Sequence, residues 1–213
     1  MFFISQAAHL RKKTERQLET HMPPSGSFFL LIALASAIAA IGLLLDDSAI
    51  IIGAMVVAPL VTPVFGFSLR ILAFKIRLAS VSLGFVFIGT ILGIFVAAMI
   101  GYLVILIEGN TFSVTGEIIS RTRPNILYFL VALFSGMAGA YAYSRPKILE
   151  SITGIAISVA IIPPLAVAGI EVAAGEWSLV TQSLLLYFFN LAGIIFGSII
   201  MFVVLGFGKE IKK

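Results

Sequence analysis

Prolines interrupt two long apolar stretches of the sequence, and they suggest what chemistry the chain can offer. The first stretch, IGAMVVAPLVTPVFG (52–66), contains Pro59 and Pro63, and the second, ISVAIIPPLAVAG (157–169), contains two adjacent prolines. Inside a helix, a proline leaves the carbonyl four residues earlier without its usual donor. In a lipid core, that carbonyl needs a polar side chain, water or a solute. Freed carbonyls are therefore the predicted ligands.

These breaks define a predicted pathway for a small ion or solute. The prolines would free the carbonyls of Met55, Pro59, Val159 and Ala160, and nearby hydroxyls and amides, including Thr153 and Gln182, could assist. Asn190 is the deepest polar residue of the last apolar stretch, although a lone Asn in a span often joins helices instead. Kinked, dry helices are the alternative interpretation. The predicted pathway residues are Met55, Pro59, Thr62, Pro63, Ser158, Val159, Ala160, Pro163, Pro164 and Asn190.

The composition indicates an integral membrane protein. Of the 213 residues, 60% are hydrophobic and 11% are charged, which is too apolar for the surface of a soluble protein. A membrane-spanning helix needs about 20 apolar residues. Six segments meet this requirement, and membrane lipid is the predicted surrounding. The predicted spans are 28–45, 48–69, 78–104, 125–144, 148–170 and 178–206.

The distribution of basic residues predicts the orientation. If the N-terminus is cytosolic, twelve of the fourteen Lys and Arg residues lie on the cytosolic side, and only Arg121 and Arg123 lie outside. This positive-inside pattern predicts a multi-pass protein of the plasma membrane with both termini in the cytosol. Six of the ten acidic residues then face outward, and no Asp or Glu falls in the centre of a span. The outward acidic residues are Asp46, Asp47, Glu108, Glu117, Glu171 and Glu176.

An internal repeat relates the two halves of the chain. A shift of 101 residues gives nine identities between 53–95 and the second half, including Gly53 with Gly154 and Pro63 with Pro164. Each repeat holds three spans, so the second copy must be inverted, as in many transporters and channels. A duplication that merely built a stable bundle is the alternative. The predicted units are a cytosolic arm (1–27), a first repeat (28–107), an outer connecting loop (108–124), a second repeat (125–206) and a cytosolic tail (207–213).

Small residues form two helix faces that predict close packing. Gly89, Gly93, Ala97 and Gly101 recur at a spacing of four, and Gly193 and Gly197 do the same later in the chain. Such faces let helix backbones approach, and they could join the repeats or join subunits of a homo-oligomer. Leucine at Gly93 or Gly193 should therefore disrupt packing, whereas leucine at Gly109, in the predicted outer loop, should be milder.

The sequence lacks the residue clusters that membrane enzymes use. There is no cysteine, the two histidines are His9 and His21 of the predicted arm, and Ser135 in FSGMAG has no His or Lys in its span. A metalloprotease needs clustered ligands and a serine nucleophile needs a base. We therefore expect no enzyme, no catalytic residue, no metal and no cofactor. The basic residues lie beside apolar segments, which predicts no nucleic-acid partner.

The two proline-containing segments resemble those of the bacterial and archaeal family called domain of unknown function number 389. SAIIIGAMVVAPLVTP (48–63) and GIAISVAIIPPLAVAG (154–169) are similar to the hallmark segments of this family, and the resemblance extends over roughly 28–206. It implies a hydrophobic membrane protein but no activity. Longer members carry an additional soluble domain, which we do not expect in this chain.

Together these features predict an all-α membrane protein with six spans, arranged as two inverted three-helix repeats whose second and fifth helices are broken by proline. The predicted function is a channel or facilitated transporter for a small ion or solute. The absence of an acid in the centre of a span favours this over a proton-driven pump. A non-transporting scaffold or regulatory protein is the alternative.

Overall fold

A computed structural model of the protein describes residues 25–109, 113–145 and 161–207. The regular structure of these ranges is entirely helical. Residues 1–24 of the predicted arm and 208–213 of the predicted tail, together with Thr153, lie outside the described residues. Gly26 and Ser27, which were assigned to the arm, already belong to the first helix. The helices are α1 (Gly26–Leu44), α2 (Ser48–Val57), α3 (Val61–Leu72), α4 (Ile76–Glu108), α5 (Gly116–Ser120), α6 (Ile126–Tyr143), α7 (Ile162–Ala174) and α8 (Trp177–Val204).

Four of these helices, α1, α4, α6 and α8, are long and apolar enough to cross a membrane. A fifth span is obtained if α2 and α3 count as one, because they follow each other with a bend of 53°. Helix α7 has only 13 residues, and the first part of the predicted fifth span, through residue 160, lies outside the described residues. The structure thus supports a helical membrane protein with four or five such spans in its described part.

The prolines begin helices instead of interrupting them. The chain leaves α2 at Ala58, whose backbone is extended, and Pro63 is then the third residue of α3. Pro163 and Pro164 are the second and third residues of α7. The amide groups of a first helical turn have no partner within the helix, so a proline there costs no ladder hydrogen bond. Each pair therefore marks where a half-helix starts.

Polar contacts hold one end of the bundle together, and aromatic contacts hold the other. Asp47 caps α2, and the neighbouring Asp46 accepts a hydrogen bond of 2.7 Å from the Glu117 amide of α5. At the opposite end, the Phe65 ring of α3 packs on Tyr143 of α6 and on Phe202 of α8. The α1–α2 turn and α5 thus share one side, and the C-terminal ends of α6 and α8 share the other.

The small-residue faces lie where helices of the same chain touch. A Cβ added at Gly193 or Gly197 would meet α6, and one added at Gly93 would lie 2.5 Å from Leu165 of α7. Gly109 meets no neighbour within 4 Å, as expected for a loop, but its φ of 73° is left-handed. A side chain at Gly109 is strained for that reason, so this position is a poor control for packing.

Candidate functional site

A cavity of about 380 Å³ lies among α5, α6, α7 and α8. It brings together two predicted pathway residues, Pro164 and Asn190, with polar residues from the segment between the two halves. Val131 and Tyr128 at its edge are exposed, so the cavity is open at the surface of the bundle. The lining residues are Glu117, Ser120, Arg121, Tyr128, Val131, Pro164, Leu186 and Asn190.

The hairpin of α7 and α8 explains why Pro164 and Asn190 meet. The two helices are joined at Gly175, whose φ of 78° reverses the chain, and they pack against each other. Pro164 lies ten residues before Ala174 and Asn190 lies thirteen residues after Trp177, which corresponds to about 15 Å and about 20 Å of helix. Both residues are buried, and together they form the inner wall of the cavity at this distance from the α7–α8 turn.

The opposite wall is an ion pair that the sequence analysis missed. Glu117 and Arg121 belong to residues 115–121, which comprise α5 and its two caps and are called the α5 segment. They pair at a spacing of four residues, and about a fifth of each side chain is exposed. The Arg121 guanidinium also donates to the Glu117 carbonyl at 3.0 Å and to the Ser120 hydroxyl at 2.6 Å. The Glu-to-Arg spacing was visible in the sequence. What it could not show is that this segment folds onto the bundle.

Several contacts fix the α5 segment in place. The Thr115 hydroxyl accepts from the Ile118 amide and donates to the Leu43 carbonyl of α1 at 2.8 Å. The Ser48 hydroxyl donates to the Glu117 carboxylate, which also receives the Arg121 ion pair. Glu117 is therefore anchored from both α2 and its own helix. The predicted outer connecting loop is thus an ordered wall of the cavity in this region.

The other predicted pathway residues do not line this cavity. Met55 and Pro63 are buried, and Pro59 is half-buried. The Pro59 carbonyl, predicted to be free, accepts from the Thr62 amide at 3.4 Å. Gln182 is exposed and its amide donates to Ser178. Ser158, Val159 and Ala160 lie outside the described residues, so the Ser158 hydroxyl and the freed carbonyls of Val159 and Ala160 remain predicted ligands.

The proline pair also changes the chemistry at the start of α7. A helix N-terminus normally presents several free amide donors and a partial positive charge, which favours anions. Pro163 and Pro164 have no amide hydrogen, so two of these donors are absent beside the cavity. The cavity end of α7 is consequently a weaker anion site than an ordinary helix start, and its polar groups are mainly side chains.

We predict that replacing Pro63 or Pro164 by alanine will change the free energy of unfolding by less than about 1 kcal/mol. The usual gain of about 3 kcal/mol applies to prolines in helix interiors, but these residues lie in first turns. Thermal unfolding of the purified variants in detergent tests this. A stabilisation near 3 kcal/mol would show that α3 or α7 continues through its break.

Residues 55–196, about two thirds of the chain, match the model of the family described as "Domain of unknown function (DUF389)". The chain belongs to the DUF389 family. This confirms the resemblance found in the two proline-containing segments. The DUF389 match begins at Met55 in α2 and ends at Phe196 in α8, so it contains every residue that lines the cavity.

An uncharacterised protein of Methanocaldococcus jannaschii is similar to this DUF389 chain, with 28% identity over 177 residues. The match covers 83% of this chain and 53% of the relative, so the chain spans about half the length of that protein. No solved structure matches the chain. The family and this relative carry no assigned activity, so the functional argument rests on the cavity.

Proposed function

We propose that this protein moves a small polar solute or ion across the plasma membrane, by way of the cavity at the start of α7. The observation that carries the proposal is the meeting of Pro164 and Asn190 with the Glu117–Arg121 pair around about 380 Å³ of space. Polar groups are expensive at membrane depth and are usually retained for a pathway or a site. Pockets for small molecules also begin at about this volume.

The composition of the wall favours a particular class of solute. A carboxylate, a guanidinium, an amide and a tyrosine hydroxyl offer both donors and acceptors. A small zwitterion or a polar neutral solute can pair with all of them, whereas a bare anion would meet Glu117 and a proline-blocked helix start. We therefore place small zwitterionic or neutral polar solutes before inorganic ions.

Helix contacts support two inverted repeats, the architecture common among transporters. In the predicted repeats, α1 corresponds to α6, α3 to α7 and α4 to α8. The contact of α1 with α4 then recurs as that of α6 with α8, and the contact of α4 with α7 recurs as that of α8 with α3. At residue level, the Ser68 and Ser198 hydroxyls share a hydrogen bond of 2.7 Å. The shift of 101 relates Ser68 to Gly169 and Ser198 to Ala97. This second pair is also in close contact, because a Cβ added at Gly169 would lie 2.6 Å from the Cβ of Ala97.

The two sides of the bundle agree with the proposed orientation. The described acidic turn at Asp46 and Asp47 lies with α5 on one side, whereas Arg70 and Lys75 flank the α3–α4 turn and Arg145 follows α6. If these basic ends lie in the cytosol and the chain crosses the membrane six times as predicted, both termini are cytosolic. The cavity wall formed by Glu117 and Arg121 then belongs to the outer half of the membrane.

Blocking the cavity tests the proposal. Val131 is 55% exposed and lines the cavity, so a tryptophan there should fill the space without displacing the core. In liposomes, wild-type protein should pass labelled zwitterionic or neutral solutes, and Val131→Trp should reduce the flux by about tenfold or more, equivalent to about 1.4 kcal/mol. Ile91→Trp, on the exposed face of α4, is the matched control and should keep the wild-type flux.

Two outcomes would remove the proposal. The first is wild-type protein that passes no amino acid, polyol, Na⁺, K⁺ or Cl⁻ above empty liposomes. The second is equal flux through wild-type, Val131→Trp and Ile91→Trp proteins. Either result would favour the alternative of a membrane scaffold or regulatory protein.

A further inference from the structure

Glu171 occupies a position that the sequence analysis misjudged. It was predicted to face outward beyond the fifth span, but it lies inside α7, one turn before the helix ends, and its exposure is 0%. Neither of its carboxylate oxygens has a hydrogen-bond partner among the described residues. An acidic residue is therefore enclosed in the bundle, although the sequence analysis placed it in the turn after the fifth span.

Among the described residues, the helices that pack on α7 provide no positive charge to balance Glu171. Helix α7 packs on α1, α2, α4 and α8. Of these, α1, α2 and α8 contain no Asp, Glu, Lys or Arg, and α4 contains only Arg77 and Glu108, at its two ends. Tyr187 of α8 is titratable, but its hydroxyl bonds with that of Thr90.

Among the residues that the structure describes, the charged groups of the nearby turns do not neutralise Glu171 either, and Arg123, in the turn before α6, is exposed. The turns after α1 and α7 add only acidic groups, which are Asp46, Asp47 and Glu176. In the α5 segment, Arg121 already pairs with Glu117. An ionised and unpaired carboxylate is very unfavourable when it is removed from water, and such groups take up a proton instead. The surroundings therefore favour the neutral acid.

Glu171 also shares a helix face with the cavity. Pro164, Val167, Ala168 and Glu171 follow one another at spacings of three and four residues, which places them on one face of α7. Pro164 lines the cavity, and Glu171 lies two turns further along, at about 10 Å of helix rise. A movement of α7 that opens the cavity would therefore also move the Glu171 carboxyl group.

We propose that Glu171 is a proton-binding site that couples proton movement to transport through the cavity. The coupling part of this inference rests on the proposed function. A proton needs one oxygen, whereas metal cations such as Ca²⁺ and Mg²⁺ need six or more oxygen ligands, and the apolar helices round α7 do not supply them. Glu171 holds its proton while the bundle encloses it, and it releases the proton when water reaches it.

Infrared spectroscopy of the purified protein tests proton binding without any transport measurement. At about pH 6, exposed carboxyl groups are ionised, and the wild-type protein should retain a protonated-carboxyl C=O band. Glu171→Gln, which imitates the neutral acid in shape, should lose this band. Glu176→Gln, five residues later in the exposed turn, is the matched control and should keep it. A wild-type spectrum without the band, or a band that survives in Glu171→Gln, overturns the proton site.

A pH gradient across liposomes tests the coupling. If one proton moves with each solute, a gradient of one pH unit supports about tenfold accumulation. Wild-type and Glu176→Gln proteins should accumulate solute, whereas Glu171→Gln should only equilibrate it. Accumulation by Glu171→Gln, or mere equilibration by the wild type, overturns the coupling. If the wild type passes no solute at all but shows the infrared band, the proposed transport function fails and the proton site stands.

Discussion

Replacing Gly197 by alanine is expected to destabilise the bundle severely, although the change adds only one methyl group. A Cβ at this position would lie 2.0 Å from the Leu133 carbonyl oxygen and 3.0 Å from the Met137 amide nitrogen. These are backbone atoms of α6, so no side-chain rotation relieves the clash and the two helices must separate. Overpacking typically costs 1–3 kcal/mol, and we expect a loss of about 3 kcal/mol. The thermal midpoint and the yield of folded protein measure it.

Gly84 supplies the matched control for this prediction. It lies within α4, its φ is not positive, and an added Cβ meets nothing within 4 Å. Gly84→Ala should therefore be neutral or stabilising by up to about 1 kcal/mol. Gly136→Ala examines the same interface from α6, because its Cβ would lie 2.4 Å from the Ile194 carbonyl oxygen. Equal stability of all three variants would contradict the close packing of α6 on α8.

The breaks and the packing faces were predictable because both are local patterns. Proline restricts its own backbone and donates no hydrogen bond, so Pro59 and Pro63 indicated an interruption wherever the helix lay. The spacing of four at Gly193 and Gly197 likewise places both residues on one helix face. Their exact partners, such as Leu133, depend on how two helices cross. That choice is made by the packing of many side chains at once.

The position of Glu171 shows where local patterns fail. Counting apolar residues ended the fifth span at residue 170, because a charged side chain normally marks the edge of a membrane helix. Helix α7 continues to Ala174 and Glu171 is enclosed by neighbouring helices. Whether a terminal acid is exposed depends on the helices that surround it, and the sequence of α7 does not contain that information.

The α5 segment was missed for a related reason. Its polar composition predicted a connecting loop, and Arg121 was counted only as an exception to the charge distribution. Its place in the cavity depends on long-range contacts, such as that of Thr115 with Leu43 and that of Glu117 with Asp46. Contacts between residues about 70 positions apart leave no periodic signal in a single sequence.

Asn190→Leu is expected to reduce solute flux by about tenfold or more while the protein stays folded. Leucine has the same branched arrangement of heavy atoms as asparagine, although its methyl groups are larger, so the cavity keeps its shape but loses the amide on its inner wall. A solute that leaves water must then enter without that hydrogen bond, which contributes about 1 kcal/mol or somewhat more. Flux into liposomes and thermal unfolding should be measured on the same preparation, because Asn190 also interacts within the protein.

Two further variants separate the loss of a solute ligand from a general effect on α8. Gln182→Leu removes an amide from the same helix, but this residue is exposed and lies outside the cavity lining, so flux should remain near wild type. Asn190→Ser keeps a polar group in the cavity and should recover part of the flux that Asn190→Leu loses. If Asn190→Leu transports as the wild type does, Asn190 is not part of the pathway. If Gln182→Leu loses as much flux, the effect comes from the packing of α8, and the role proposed for the cavity would have to be given up.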